Sequence, residues 1–366
     1  MNMTASADGS LRRFSLAIDA MGGDHAPDIV LDGLELAAER HPQAQFLLLG
    51  DEARLRDALA RRPRAAKVCM IRHAPDAIPG DMKPTQALRQ GRKSSMRLAI
   101  DAVACGEAAG VVSAGNTGAL MALAKIVIKT MPEISRPALA AIAPSMGGDV
   151  VMLDLGANVQ CDARNLVEFA IMGDAFARAV LGLPNPTIGL LNVGSEELKG
   201  DDRVREAAEV LRDGHAGLNF HGFVEGHDIS SGTVDVVVTD GFTGNVALKT
   251  GEGVYKLMST LLKQAFTSSV PARMGYLLAR PALERLREWM DPRRYNGAIL
   301  LGLNGVVVKS HGGTDATGFA HAVDVAMDMV THGFTQTIRE SLSRLAATPA
   351  PAAAPGVASP IAAQQD

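Results

Sequence analysis

One pattern recurs along this chain: a short apolar strand, a turn rich in glycine, and then a helix. Its central copy is SAGNTGAL at residues 113–120, which follows the apolar run 110–112 and leads into an apolar-periodic stretch ending near Ile128. Asn116 and Thr117 occupy the positions of a helix N-cap. The free N–H groups and positive dipole end of such a helix suit a phosphate or a developing oxyanion.

Four further turns have the same character. They are DAMGGDHAP at 19–27, the turn after 150–155 that includes GANVQC, DGFTGN at 240–245 and KSHGGTDATG at 309–318. Each turn alone is explained by helix capping. Five of them at the carboxyl ends of strands can line one crevice of an open α/β sheet, so together they indicate an anion-handling active site.

Strands and helices alternate, which predicts an α/β fold: a mostly parallel sheet covered by helices on both faces, hence three α/β/α layers. The predicted strands are 13–20, 45–50, 67–71, 110–112, 138–143, 150–155, 187–192, 218–223, 234–239 and 306–309. The predicted helices include 28–40, 51–61, 93–105 and 166–180, and 80–89 is predicted as a loop. We expect one catalytic domain over 13–345, a flexible segment at 1–12 and a disordered Ala/Pro-rich tail at 346–366.

Composition excludes several classes of function. The net charge of −4 gives no support to nucleic-acid binding. Three cysteines without motif spacing predict reduced thiols in a cytosolic protein. We see no secretion signal and no apolar run of the roughly 20 residues that would span a bilayer. The protein is therefore expected to be soluble or peripheral to a membrane.

Residues 254–296 differ from the rest of the chain. They have apolar residues at helical spacing, a proline-bounded apolar tip at 270–278, and eight basic residues against three acidic ones. We predict a protruding helical hairpin. Its basic, apolar character fits a membrane surface or an acidic protein, and it equally fits a dimer interface; these roles are compatible.

Familiar catalytic fingerprints are absent. The sequence lacks a nicotinamide-type GxGxxG after the first strand, a P-loop, a GxSxG elbow and tight metal-ligand spacing, so no metal and no cofactor are predicted. Cys161 follows a glycine turn, but no histidine is spaced to activate it, so a buried thiol is favoured over an acyl-cysteine. Cations near the turns are more informative, because they can hold a phosphate or neutralise an oxyanion.

Seven motifs together resemble the bacterial phosphate acyltransferases of phospholipid synthesis. They are DAMGGDHAP, KPTQALRQGRKSSM, SAGNTGAL, LDLGANVQC, LLNVGSEELKG, DGFTGNVALKTGEG and the HGGTD turn, in order from about residue 14 to 330. The resemblance implies transfer of a fatty acyl group from acyl carrier protein to inorganic phosphate. The acyl phosphate formed would pass to a membrane glycerol-3-phosphate acyltransferase.

The resemblance also implies a fold similar to isocitrate dehydrogenases and phosphate acetyltransferases, a homodimer, and a cytoplasmic location with peripheral contact to the inner face of the cell membrane. Phosphate is itself an oxyanion nucleophile and a thiolate leaves readily, so positioning and electrostatic stabilisation suffice for this chemistry.

We expect Lys83, Arg89 and Lys93 to gather phosphate, Asn116 and Asn245 to stabilise the tetrahedral oxyanion, and His25 or His311 to protonate the departing sulfur. Further candidates for phosphate or substrate binding are Asp19, Gly22, Gly23, Ser113, Gly115, Thr117, Gly118, Asn158, Lys199, Asp240, Thr243, Gly244 and Lys249. The residues expected to contact the acyl chain or membrane are Leu261, Leu262, Phe266, Val270, Met274, Leu277 and Leu278.

Three alternatives stay open at this point. A short-chain phosphate acyltransferase using coenzyme A thioesters would share the phosphate turn without needing the hairpin. An isocitrate-type dehydrogenase is disfavoured by the lack of a metal-carboxylate cluster. A membrane-docking scaffold for acyl carrier protein would leave the five turns unexplained.

Overall fold

The computed structural model of this chain describes residues 15–132, 134–214, 217–289 and 296–347. The strands in these ranges are β1 (Ser15–Asp19), β2 (Gln45–Gly50), β3 (Cys69–His73), β4 (Gly110–Ser113), β5 (Ala138–Ser145), β6 (Gly148–Leu153), β7 (Thr187–Leu191), β8 (Asn219–Val224), β9 (Val236–Val238), β10 (Ala298–Leu301) and β11 (Val306–Lys309). They form one sheet in the order β3-β2-β1-β4-β11-β10-β5-β6-β9-β7-β8.

The sheet consists of two parallel groups that run in opposite directions. Strands β3, β2, β1, β4 and β11 are mutually parallel, and so are β6, β9, β7 and β8. Three successive antiparallel pairings, through β10 and β5, join the groups. The carboxyl ends of the two groups therefore lie at opposite edges of the sheet.

Helices cover both faces of the sheet. They are α1 (Asp28–Arg40), α2 (Glu52–Leu59), α3 (Pro63–Val68), α4 (Pro84–Gln90), α5 (Ser95–Ala104), α6 (Thr117–Val127), α7 (Ala163–Val180), α8 (Asp202–Arg212), α9 (Gly226–Ser231), α10 (Gly241–Thr267), α11 (Val270–Trp289), α12 (Ala316–Thr331) and α13 (Phe334–Ala347), with a 3-10 turn at Gly91–Lys93.

Each strand contributes side chains to two separate hydrophobic cores, one on each face of the sheet. In β1, Leu16 and Ile18 join the core formed with α1, α7 and α12, whereas Ala17 joins the core formed with α5 and α6. Successive strand residues point to opposite faces, so an all-apolar strand is buried on both sides. The predicted three-layer α/β/α fold with a mostly parallel sheet is confirmed.

Helices α10 and α11 form the hairpin, and most of their described side chains are exposed. The helix predicted after the turn at 240–245 and the first arm of the hairpin predicted from 254 form one continuous helix, α10, which Asp240 caps by accepting from the backbone N–H of Thr243 at 2.8 Å. The chain reverses at residues 268–269, so the segment predicted as the tip is the first half of α11. Across the turn, the rings of Phe266 and Tyr276 meet edge-on at 5.6 Å between centroids. None of the helices in the described ranges combines the length and apolarity needed to cross a membrane.

Several boundaries differ from the predictions. The predicted loop at 80–89 contains α4, whose first residue is Pro84, a residue tolerated there because a first-turn N–H has no helical partner anyway. The first two residues of the predicted tail, Ala346 and Ala347, end α13. The predicted N-terminal segment 1–12, residues 290–295 of the predicted hairpin, and residues 348–366 of the predicted tail lie outside the described residues.

Candidate functional site

Three of the five glycine turns meet at the carboxyl ends of β1, β4 and β11, a region that we call the Asp19 edge. The backbone N–H of Asp24 donates to the carbonyl of Gly312 at 3.0 Å. A Cβ atom on Gly22 would lie 2.7 Å from the backbone nitrogen of Gly115, so only glycine permits this approach. Gly23 packs against Ala114 in the same way.

The polar groups at the centre of this edge bind one another. The Asp19 carboxylate is buried and accepts from Ser95 Oγ at 2.6 Å and from Ser113 Oγ at 2.7 Å. Burial raises its pKa, although both hydroxyls oppose the rise. An enclosed carboxylate repels phosphate, so binding of a phosphate by Asp19 or Ser113 is not supported. These residues instead hold β1, β4 and α5 together.

Asn116 has a structural task as well. Its Nδ2 donates to the carbonyls of Gly80 at 2.8 Å and Met82 at 2.9 Å, while its Oδ1 accepts from the backbone N–H of Ala119 at 2.9 Å. The N-cap role is confirmed. Both amide hydrogens are already used, so the expectation that Asn116 donates to an oxyanion is corrected: it ties the loop before α4 to the start of α6.

The charged candidates on the Asp19 edge are exposed. Lys83, Arg89, Lys93, His25 and His311 all have solvent-accessible side chains, as does Thr117. Lys83 precedes Pro84, which packs against Gly118 so closely that a Cβ there would lie 2.9 Å from the proline ring. His311 Nδ1 accepts from the backbone N–H of Gly313 at 3.1 Å. A neutral His311 therefore carries its proton on the outer Nε2.

A buried lysine closes this edge; it begins the KSHGGTDATG turn, and the sequence motifs gave it no predicted role. Lys309 is only 8% exposed, and its Nζ donates to the carbonyls of Ala114, at 3.4 Å, and Ser310. Burial lowers its pKa to about 8, against the attraction of Asp19 and Asp24.

We expect Lys309→Met to stabilise the protein most at neutral pH. The lysine pKa is depressed in the folded state, from 10.5 to about 8. The unfolded chain therefore binds more protons between these values, and stability rises with pH there. Burying the charged lysine costs about 3 kcal/mol below pH 8 at roughly 1.4 kcal/mol per pKa unit. The Tm advantage of the variant should shrink as pH rises from 8 to 10.5.

The control for this comparison is Lys125→Met, which removes an exposed lysine from α6. Its Tm difference from wild type should change much less over the same pH range. A constant advantage of Lys309→Met at every pH would show that the lysine is not charged and costly in the folded protein.

The second region is the opposite edge, where β6, β7 and β9 end, and we call it the Asp154 edge. Asp154 is fully buried and accepts from four backbone N–H groups: Leu139 at 2.9 Å, Gly156 at 3.2 Å, Ala157 at 3.0 Å and Asn158 at 2.6 Å. Burial raises its pKa in spite of these bonds. Asp154 is not among the site residues predicted from the sequence, yet the sequence contains a signal for it: Asp19, Asp154 and Asp240 all end or follow apolar strands before a glycine turn.

The Asp154 edge contains the other predicted turn residues. Asp240 caps α10, with Thr243 beside it. A Cβ on Gly244 would lie 2.0 Å from the Asp154 carbonyl oxygen, so this helix start can pack on β6 only with glycine. Asn158 uses both amide hydrogens, on Pro137 O and Asp154 Oδ2, and is therefore structural.

Asn245 is the predicted amide that remains available. Its side chain is exposed, faces the Gly156 turn, and makes no hydrogen bond within the described part of the chain. In the segment that follows β7, Lys199 pairs with Glu196 at 2.9 Å, an exposed contact that a substrate anion can replace. Lys249 pairs with Glu252 at 2.8 Å further along α10.

A cavity of about 480 Å³ opens on the Asp154 edge. Its lining residues are Cys161, Leu166, Leu190, Leu191, Asn192, Val193, Gly200, Asp201, Arg203, Val204, Val238, Thr239, Asp240 and Thr243. Burial raises the pKa of the Cys161 thiol to about 11, so the thiol is protonated at neutral pH and a poor nucleophile. The volume is that of a small-molecule site.

The expectation that all five turns line one crevice is wrong for a single chain. Three turns lie at the Asp19 edge and two at the Asp154 edge, and the edges are separated by at least a strand length, roughly 13 Å for four residues. In the ranges that the structure describes, no three His, Cys, Asp or Glu side chains are grouped to hold a metal ion.

Comparison with known proteins agrees with the resemblance noted from the motifs. A family model described as "Fatty acid synthesis protein" matches residues 14–337. The phosphate acyltransferase of Gluconacetobacter diazotrophicus is 69% identical over 94% of this chain and 92% of its own length. That of Granulibacter bethesdensis is 70% identical over 91% of this chain and 90% of its own.

A solved phosphotransacetylase from Streptococcus pyogenes superposes with a TM-score of 0.59 at 19% identity, covering 87% of this chain and 94% of that one. This likeness supports the fold alone. The matches to the family model and to the relatives extend over nearly the whole described chain, both edges and the hairpin included. The chain therefore belongs to the phosphate acyltransferase family, acyltransferases of fatty-acid and phospholipid synthesis.

Proposed function

We propose that this enzyme transfers a long-chain fatty acyl group from acyl carrier protein to inorganic phosphate, and that the thioester carbonyl reacts at the Asp154 edge. The observation that carries the location is that this edge has both a cavity, lined in part by Asp240 and Thr243 at the start of α10, and Asn245 on the same helix, an amide with no hydrogen-bond partner among the described residues. At the Asp19 edge, by contrast, Asp19, Ser113 and Asn116 are committed to one another or to the backbone.

The reaction needs no protein nucleophile. A phosphate oxygen attacks the thioester carbonyl, the tetrahedral oxyanion collapses, the C–S bond breaks, and the thiolate of the carrier leaves with a proton from solvent or a histidine. Cys161, the nucleophile that would support a covalent acyl-enzyme, is held as a thiol by its raised pKa. This supports direct attack by phosphate.

Asn245 is suited to stabilise the oxyanion because its Nδ2 hydrogens have no partner among the described residues and it is the fifth residue of α10, just after the first turn at the positive end of the helix dipole. Lys199 can exchange its exposed pairing with Glu196 for phosphate. The acyl phosphate formed would then be consumed by a membrane glycerol-3-phosphate acyltransferase.

The test is acyl phosphate formation by the purified protein, trapped as hydroxamate. Palmitoyl-acyl carrier protein, palmitoyl-coenzyme A and acetyl-coenzyme A are compared at several phosphate concentrations. Phosphate-dependent consumption of the carrier thioester is expected. Turnover with acetyl-coenzyme A alone would establish the short-chain alternative, and no turnover by folded protein would favour the scaffold role.

We also propose a homodimer in which the Asp19 edge of one copy faces the Asp154 edge of the other. The predicted phosphate cations Lys83, Arg89 and Lys93 lie on the edge opposite Asn245, so one chain alone does not bring them to one substrate. A symmetric pair makes two equivalent sites from the two edges.

Mixing two weak variants tests this arrangement. Lys83→Ala and Asn245→Ala homodimers should each have little activity, whereas co-expressed chains should recover roughly one quarter of wild-type activity, since half the dimers carry one intact site. Controls are the two variants assayed separately and mixed without subunit exchange. Absence of recovery in a purified heterodimer would contradict a site shared between copies.

The hairpin is proposed to bind the inner face of the cell membrane. Val270, Met274, Leu277 and Leu278 are between 63% and 86% exposed on α11, close to Arg273 and Arg280. Exposed apolar groups beside cations suit an anionic lipid surface, whereas an acidic protein would not require the apolar residues.

Replacing Leu277 and Leu278 with serine should weaken binding to anionic phospholipid vesicles by more than about tenfold, because each leucine contributes roughly 1.5 kcal/mol or more on burial. Sedimentation with vesicles measures the effect. The control is Val210→Ser, an exposed apolar residue on α8. Equal losses in both variants would contradict a specific role for the hairpin.

A further inference from the structure

The cavity of the Asp154 edge has an apolar interior. Leu190 and Val238 contribute from strands β7 and β9, Leu166 from α7 and Val204 from α8. The first three are buried. A ligand that reaches these side chains gains apolar contact and displaces water from them.

The polar groups in the cavity wall are already satisfied. Asp201 accepts from the backbone N–H of Val204 at 3.0 Å and binds the Arg203 guanidinium, which also donates to the Cys161 carbonyl at 3.0 Å. Asn192 binds the Val193 N–H and the Lys199 carbonyl. A polar ligand would therefore have to displace a protein partner that these groups already have, whereas a hydrocarbon ligand would not.

Exposed apolar side chains lie in the two segments that contribute to the cavity wall. Val193 lines the cavity and is 77% exposed, while Leu198, 89% exposed, and Phe242, 63% exposed, belong to the segments 192–200 and 240–243 that contain lining residues. Outside the hairpin, few large apolar side chains in the described ranges are so accessible. Exposed apolar side chains in the segments that contain lining residues of a cavity with buried apolar walls favour a hydrocarbon ligand over a polar one.

We propose that this cavity binds the fatty acyl chain of the donor, with the thioester at the rim beside α10 and the hydrocarbon directed towards Leu190 and Val238. This proposal rests on the proposed function and deepens it: the acyl chain is recognised at the reaction site, in addition to any contact with the hairpin. Chain-length preference would then be determined by the depth of the cavity.

The substitution Val204→Phe narrows the cavity and tests the proposal. Its matched control is Val210→Phe, on the same helix but exposed and outside the cavity lining. Steady-state kinetics are measured with butyryl-, octanoyl- and palmitoyl-carrier protein and with varied phosphate. For Val204→Phe, KM for the palmitoyl donor should rise at least about tenfold, as loss of two methylene contacts would produce. Kinetics with the butyryl donor and KM for phosphate should stay within about threefold.

Equilibrium binding of the fluorescent fatty acid cis-parinaric acid provides a readout that does not need turnover. Val204→Phe should weaken this binding and Val210→Phe should not. Equal losses for every chain length, a raised KM for phosphate, or unchanged fatty-acid binding would each overturn the proposal. If wild type binds the acid in this cavity but forms no acyl phosphate, the proposed function fails and the acyl-chain site stands.

If Val204→Phe is unstable by its Tm, Val193→Trp replaces it. Val193 lines the cavity at the rim and is exposed, so a larger side chain there disturbs little packing. The same shift in chain-length preference is expected, and its absence in this folded variant would equally overturn the proposal.

Discussion

Replacing Asn245 with alanine should lower kcat for the proposed formation of acyl phosphate by roughly 10²- to 10³-fold, the usual loss when one oxyanion-stabilising donor is removed. The thermal stability should be almost unchanged, because the exposed Asn245 side chain has no hydrogen-bond partner among the described residues. A donor without a partner among the described residues is available for the charge that would develop on the oxygen of the proposed thioester substrate. KM for phosphate should change much less than kcat.

Two further variants make the result specific. Asn245→Asp keeps the size of the side chain but places a carboxylate where negative charge develops, so it should be at least as inactive as alanine. Thr250→Ala, an exposed change further along the same helix, should stay within about threefold of wild type, as expected for a surface substitution away from the site. Comparable activity in Asn245→Ala and Thr250→Ala would remove Asn245 from the mechanism.

The parts of the fold that local pattern determines were predicted well. Helix α1 and strands β2 and β11 have the predicted bounds, because their periodicity and flanking turns are all local. Strand β10 was not predicted, because four consecutive apolar residues between loops are too few to show a periodicity. The direction of the two strand groups also was not predicted, since it follows from pairings such as β4 with β11, which are far apart in the sequence.

The candidate site shows the same division between local and long-range information. The turns and their caps were recognisable, and Asn116 does cap α6 as expected. Whether an amide is free, however, depends on distant partners: Asn116 is occupied by residues of the loop before α4, and Asn158 by Pro137, while Asn245 has none in the described chain. The spacing of residues in the sequence does not show which distant groups will bind each amide.

Asp154→Ala should be the most destabilising single change at the site. Its carboxylate accepts from four backbone N–H groups and from Asn158 Nδ2 at 2.9 Å. Removing the acceptor leaves these donors without a protein partner, at about 1–3 kcal/mol for each that water cannot reach. Water reaches some of them, since Gly156 is exposed and Leu139, Ala157 and Asn158 are half-buried. We expect a total loss of roughly 3–5 kcal/mol, and a Tm lower by more than about 6 °C at 2–4 °C per kcal/mol.

The matched control is Asp51→Ala, which removes an aspartate that caps α2 through a single bond from the Arg54 N–H at 2.9 Å. That change should cost about 1 kcal/mol. Burial raises the pKa of Asp154, so the site does not favour its charged form. The difference in Tm loss between the two variants therefore measures the cost of leaving the backbone N–H groups without an acceptor. Asp154→Asn, which keeps one acceptor oxygen, should fall between them. Equal Tm losses for Asp154→Ala and Asp51→Ala would mean that the turn beside the cavity does not depend on this carboxylate.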